Sequence, residues 1–266
     1  MIIIGEKING AIPSVAKAIA EKDEEWIRDL ARRQSEAGAD YIDVCSSVLE
    51  KDVETLKWLI DLVQEVCDTP ICIDSPSARS IVESIPFCSR TGIINSVSLE
   101  GDKIDTVFPM IADTKWECIA LLSGEHKISE DVDDRIASFE KIMEKAKEYK
   151  IAPSRLHIDP LVFSVGMNPE SFLGYAEVTR YIKKAYPDVH ITSGLSNISY
   201  GIPSRKTMNQ AFLILAMQAG MDCAILDPTN RDMMGSVFAT EALLGIDEYC
   251  IEYIGAYNEG RFGIKK

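Results

Sequence analysis

No apolar run in the chain approaches the roughly 20 residues needed to cross a bilayer. The opening stretch MIIIGEKING has neither a basic flank nor a small-residue cleavage pattern. It therefore reads as a strand starting at the first residue, with no signal peptide and a cytoplasmic setting. Histidine is scarce, with only His126, His157 and His190. None of them neighbours a cysteine pair, and no CxxC occurs among the seven cysteines, which argues against a zinc site. An odd number of thiols in apolar company reads as structural cysteine in a reducing compartment. Basic residues are also few, 28 against 42 acidic, giving a net charge of −14. That field repels nucleic acid. No GxGxxG follows the first strand, which speaks against an open dinucleotide-binding sheet. Nor does any linker, repeat or low-complexity segment divide residues 1–266, so one domain is expected.

What the chain does contain is alternation. Short β-rich runs occur at Met1–Ile4, Tyr41–Cys45, Ile71–Asp74, Gly92–Asn95, Glu117–Leu122, Leu156–Asp159, Val189–Ser193 and Cys223–Leu226. Between them lie stretches of helical periodicity such as DEEWIRDLARRQSEAG, DVETLKWLIDLVQEVC and DVDDRIASFEKIMEKAKEYK. Several open on an Asp or Ser suited to an N-cap, and the first closes at Gly38. Eight strands, seven crossovers and a closing helix from Gly235 to about Ile254 predict an α/β fold, a (β/α)8 barrel in a single domain.

In such a barrel the site lies at the C-terminal ends of the strands. Those ends deliver Glu6 and Asn9, Asp43, Asp74, Asn95 with Ser96, Asp159, then Gly194, Ser196 and Asn197, and finally Asp227. One Asp or Asn at a strand end is ordinarily a turn former or cap. A ring of them points to a ligand. Carboxylates and amides suit a flat heterocycle with N–H donors, because one carboxylate accepts two parallel bonds from an amidine-like edge. Clustered oxygens also suit Mg2+, and the residue types leave both readings open.

Motifs then narrow the choice. The stretches IIIGEKING at the start, CIDS at 72–75, IINS at 93–96, HIDP at 157–160 and GLSNISYGIPSRKTMNQAF at 194–212 resemble the pterin-binding methyltransferases. These are the methyltetrahydrofolate:corrinoid protein methyltransferases, related to the folate domain of cobalamin-dependent methionine synthase. The likeness runs from first strand to last helix. It implies that Asp74, Asn95 and Asp159 hydrogen-bond the pterin, with Asp159 on its amidine edge. Asn197 matches the family's mobile asparagine, which reaches N5 of the folate. Asn197 and Asp74 are thus the catalytic candidates, with Glu6 and Asp43 completing the binding ring. Arg205 aligns with a ligand-contacting arginine, and Gly194 and Ser196 with small residues under the ring. Asn197 also fits the plain role of a helix N-cap.

The resemblance implies tetrahydrofolate or methyltetrahydrofolate as substrate and a corrinoid supplied by a partner protein, since no DxHxxG motif occurs in the chain. It implies a homodimer, and no metal held by the chain itself. Two departures stand out. Cys45 occupies a position where the family often has Asn, and Gln210 one where many relatives carry Arg, which would alter contacts to the folate tail or the partner. The direction of methyl flow stays open. SRK at 204–206 admits dihydropteroate synthase as a rival reading, and a non-catalytic folate carrier is another. Trp26 and Trp58 read as packing residues on helix faces, and His157 as core. The polar stretch 122–134 reads as a loop on the active face.

Overall fold

The computed structural model describes residues 1–47, 51–124 and 129–264. Eight strands alternate with helices: β1 (Ile2–Asn9), β2 (Tyr41–Cys45), β3 (Ile71–Asp74), β4 (Ile93–Val97), β5 (Glu117–Leu121), β6 (Leu156–Asp159), β7 (His190–Ile191) and β8 (Cys223–Leu226). The first crossover carries α1 (Pro13–Glu21) and α2 (Glu24–Glu36). The next five carry α3 (Asp52–Val66), α4 (Ala78–Ser84), α5 (Lys103–Ile111), α6 (Val132–Glu148) and α7 (Ser171–Ala185). Then follow α8 (Arg205–Ala219), α9 (Arg231–Leu243) and α10 (Ile251–Asn258).

Every ladder is parallel, in the order β7-β6-β5-β4-β3-β2-β1-β8. The seam between β7 and β8 is closed by the Ile225 N–H on the Ser193 carbonyl at 3.0 Å and the Asp222 N–H on the Ile191 carbonyl at 3.2 Å. The result is the expected (β/α)8 barrel, with its last seam thinly stitched.

Strand periodicity sets what lies inside. Successive side chains alternate faces, so Ile4, Cys72, Ile93, Ile119 and Cys223 meet as an apolar plug on the barrel axis. Their neighbours, among them Ile3, Ile42, Ile73 and Ile94, face outward under the helices in the larger core. Each such side chain contributes about 1.5–3 kcal/mol by leaving water. Two residues beyond Ile4, Cys72 and Ile93 the same inward face delivers Glu6, Asp74 and Asn95, and two beyond the buried His157 it delivers Asp159. The plug is the floor and the polar ring stands on it.

Local signals hold the helices in place. Asp23 caps α2, Ser77 caps α4, Asp131 caps α6 and Asn230 caps α9 through side-chain oxygens. Trp26 and Trp58 are half-buried against the core, and Lys22 sits 3.9 Å over the Trp58 ring. All seven cysteines carry free thiols. Among the described residues no helix is long and apolar enough to cross a membrane.

β4 lies at Ile93–Val97 rather than Gly92–Asn95 and β5 ends one residue early, and three larger departures from the sequence reading stand out. β1 runs to Asn9 rather than Ile4 because it carries a bulge. Gly5 pairs with Ile42 and Ile8 with Val44, so three steps on β1 match two on β2. β7 shrinks to His190–Ile191. The single closing helix is two: α9 stops at Leu243, Gly245 takes φ 72°, and α10 begins at Ile251. Asp247 forces the break by accepting the N–H groups of Glu252 at 3.0 Å and Tyr253 at 2.9 Å, a side-chain cap in mid-segment.

Candidate active site

The β1 bulge aims the first residues of the site. Gly5 lies so close to Gln34 that a Cβ there would stand 2.6 Å from Oε1. The same oxygen accepts the Lys7 N–H at 2.9 Å, which holds the bulged turn. Glu6 then points into the mouth. Burial, and next the charge of Asp227, raise its carboxyl to about 7; Lys7 and Arg205 pull the other way. Lys7 Nζ sits 3.5 Å from Asp227, whose other oxygen accepts the Thr229 hydroxyl at 2.6 Å.

Across the mouth, β2, β3 and β4 bring together Asp43, Asp74 and Asn95. Asp43 is 2% exposed and accepts from Asn95 Nδ2 at 3.1 Å. Burial first, then the charge of Asp74, hold its carboxyl well above the usual range. Burial raises Asp74 to about 6, with Cys45 hydrogen-bonding the charged form and Asp52 repelling it.

Cys45 itself is pushed up to about 12, chiefly by burial, and stays a thiol. It points into the ring, Sγ 3.4 Å from Ser47 Oγ. It thus presents a weak thiol donor to the site. Beneath this corner Asp52, at the start of α3, accepts the hydroxyls of Ser46 and of Ser75, the latter at 2.6 Å.

β6 contributes Asp159, 7% exposed and raised to about 7 by burial. One of its oxygens accepts the Leu161 N–H at 2.8 Å. After β7 the chain enters a 3₁₀ turn, Leu195–Ser199, with Asn197 exposed on the mouth. An added Cβ on Gly194 would lie 3.9 Å from Asn197 Nδ2, so the amide leans over the glycine.

Arg205 braces this turn from α8. Its Nη2 donates to the Ser196 carbonyl at 2.7 Å and its Nε to Ser199 Oγ at 3.1 Å. Its charge is also felt by Glu6. The ring of Glu6, Asp43, Asp74, Asn95, Asp159, Gly194, Ser196 and Asn197 therefore forms one mouth, and Arg205 supports its wall.

Some readings need correcting. Asn197 does not cap the following helix; Ser204 holds the N-cap position of α8. Gln210 faces α9, donating to the Asp232 carbonyl at 3.1 Å and to Ser236 Oγ at 2.7 Å, so it serves helix packing. His157, by contrast, is the core residue expected, fully buried below Asp159 and 2.6 Å from Glu117. Of the loop at 122–134, residues 125–128, including His126, lie outside the described residues.

Sequence reasoning missed Lys7, Asp52 and Arg135. Lys7 was hidden by the bulge. The other two lie on helices whose periodicity explained them without a site. Among the described residues no group of three or more His, Cys, Asp or Glu is arranged to hold a metal ion.

A carboxyl-and-amide mouth over a barrel plug has the acceptors an amidine-bearing heterocycle would need, and residues 7–227 match the model of the pterin binding enzymes. The chain belongs to that family. As a pterin-binding enzyme it is 49% identical, across 99% of its length and 98% of the relative's, to a methylcorrinoid:tetrahydrofolate methyltransferase of Eubacterium limosum. It is 27% identical to methionine synthase of Mycobacterium tuberculosis over 87% of this chain, which corresponds to 21% of that much longer protein.

Among solved structures, a dihydropteroate synthetase with bound product superposes with a TM-score of 0.66 at 15% identity, covering 92% of this chain and 93% of that one. The dihydropteroate synthase of Xanthomonas albilineans gives 0.66 at 18%, with the same coverage. At such identities these two speak for the barrel alone.

Proposed function

We propose that this protein moves a methyl group from the cobalt of a methylcorrinoid, carried by a separate protein, to N5 of tetrahydrofolate. The observation that carries the reading is the 49% identity, over essentially the whole of both chains, to the methylcorrinoid:tetrahydrofolate methyltransferase. The mouth supports it chemically. Asp159 in its ionised form accepts two bonds from the pterin amidine edge, while Asp74 and Asn95 meet the rest of that ring. Asp43 and Glu6 line the same mouth as hydrogen-bonding walls. Gly194 and Ser196 let the ring lie near the backbone.

Asn197 faces N5. Its amide both donates and accepts, so it serves N5 with or without a proton. In the reaction the N5 lone pair attacks the methyl carbon, the N–C bond forms, and the Co–C electron pair leaves with cobalt. The methylated N5 then releases its proton. Nothing in this step needs a nucleophile from the protein, which fits a mouth of carboxyls and amides. The chain contributes position and a preorganised field. The corrinoid arrives on its partner at the barrel mouth, and the working form is a cytoplasmic homodimer.

The test is anaerobic absorbance of the protein with methylcob(III)alamin and tetrahydrofolate. Formation of cob(I)alamin together with methyltetrahydrofolate is expected. Dihydropteroate formed from a pterin diphosphate and p-aminobenzoate, with no methyl transfer, would replace this reading by the synthase.

A further inference from the structure

Arg135, on the inner face of α6, is among the largest fully buried side chains of the protein. Its guanidinium meets backbone carbonyls on every side. Nη1 donates to Pro160 at 3.2 Å and to Leu161 at 3.1 Å, Nη2 to Glu130 at 3.0 Å, and Nε to Asp131 at 3.3 Å. Two of these carbonyls follow Asp159 on the loop after β6. The other two lie at the foot of the loop after β5. A cation placed in the interior with carbonyls for partners is costly unless the geometry it imposes is needed.

That geometry is unusual. Leu161 takes φ 64°, a left-handed conformation that an L-residue with a branched side chain holds only when its surroundings fix it. In this conformation the Leu161 N–H turns back onto Asp159 Oδ1 at 2.8 Å. Gly174 on α7 leaves room for the fork, since a Cβ there would lie 2.4 Å from Arg135 Nη2.

We propose that Arg135 is a positioning residue of the pterin site, acting through Leu161 to orient Asp159 and to tie the loop after β5 to the loop after β6. The inference rests on the pterin reading given above. With the Pro160 and Leu161 carbonyls held, one oxygen of Asp159 is committed to the Leu161 N–H and the carboxylate plane is fixed toward the mouth. That N–H stabilises the charged form of Asp159, the form an amidine edge requires. Loss of the clamp therefore raises the pH needed for ligand binding, beyond any general loosening. Among the described residues Tyr175 on α7 also senses Asp159, and burial first, then that charge, raise its phenol further.

The experiment is anaerobic titration of tetrahydrofolate into the wild-type protein, Arg135→Lys and Gly174→Ala, from about pH 5.5 to about pH 8.5, across the Asp159 titration. Circular dichroism monitors folding. Lysine keeps the charge but loses the planar fork, and the alanine methyl displaces the fork as a rigid unit. Both variants are expected to move the midpoint of binding upward by about half to one pH unit, equivalent to roughly 2–5-fold weaker binding at pH 7. Folded variants whose midpoint matches wild type would overturn the proposal, and Gly174→Ala decides alone if Arg135→Lys does not fold. A wild-type protein that binds no tetrahydrofolate at any pH removes the pterin reading itself. Binding with unchanged midpoints removes only the role of Arg135.

Discussion

Asn95 donates from Nδ2 to Oδ1 of Asp43 at 3.1 Å, tying the ends of β2 and β4 across the intervening β3. This bond places a neutral amide next to a buried carboxyl that is already crowded by Asp74. It commits one N–H of Asn95 and leaves the second N–H and the carbonyl oxygen for the mouth. The ring is thus a set of groups with divided duties.

Replacing that amide by a third carboxyl makes the crowding visible. Asn95→Asp is expected to destabilise the protein by about 1–3 kcal/mol at pH 8, because a buried bond becomes a repulsion. Denaturant unfolding at pH 8 and pH 5 checks it. The loss should shrink at pH 5, where the added group is protonated.

Asp159 opposes the stability of the protein that contains it. Its folded carboxyl titrates near 7, far above the value of about 4 in an unfolded chain. The folded state holds a proton there that the unfolded state has released. The contribution of this residue is present at low pH and is lost as pH rises from about 4 to about 7. Asp159→Asn is therefore expected to raise the melting temperature at pH 8, by a margin worth about 1–4 kcal/mol. The gain should vanish near pH 4, and tetrahydrofolate affinity should fall by at least about tenfold. Melting curves at the two pH values, with a binding titration, read both effects.

Asp52 raises the titration of Asp74 by charge alone. Asp52→Asn keeps a polar partner for Ser46 and Ser75 but removes that repulsion. Asp74 then ionises at lower pH, so folate binding should extend to more acid solution by a few tenths of a pH unit or more. A shift the other way would show that the serine contacts matter more than the charge.

Below the ring, His157 lies in the core against Glu117 at 2.6 Å and stacks on His190 with centroids 4.8 Å apart. Glu117 pairs in register with Ile93, two residues beneath Asn95. Glu117→Ala is expected to destabilise by about 2–4 kcal/mol, because it strands a buried ring nitrogen. Tetrahydrofolate affinity of the folded variant should stay within about threefold of wild type, since the floor does not touch the mouth. Isothermal titration of the variant at a temperature where it is folded tests the separation.

Much of this arrangement was legible in the chain. The strand ends carry their polar residues two positions beyond a buried or half-buried inward-facing residue, and period-2 alternation makes that offset readable at Asp43, Asp74, Asn95 and Asp159. The motif from Gly194 to Phe212 marked the turn that holds Asn197. What escaped the reading depends on contacts between distant segments. The β1 bulge exists because Gln34, on α2, fits against Gly5, and nothing local to IIIGEKING announces it. The closing helix looked continuous because its apolar pattern continues, yet Asp247 takes two backbone N–H groups and splits it. Arg135 sits in a run of ordinary helical periodicity, and only the folded loops reveal that its partners are carbonyls.

The most direct test concerns Asn197, exposed in the turn after β7 and proposed to meet N5 of the folate. The measurement pairs the tetrahydrofolate dissociation constant with the single-turnover rate of methyl transfer from methylcob(III)alamin, for wild type and Asn197→Ala. The account predicts that affinity changes by less than about tenfold while the transfer rate falls by about 100-fold or more, the signature of a bond that strengthens in the transition state. Equal losses in affinity and rate would make Asn197 a plain binding residue. Unchanged transfer in the variant would contradict the site as described.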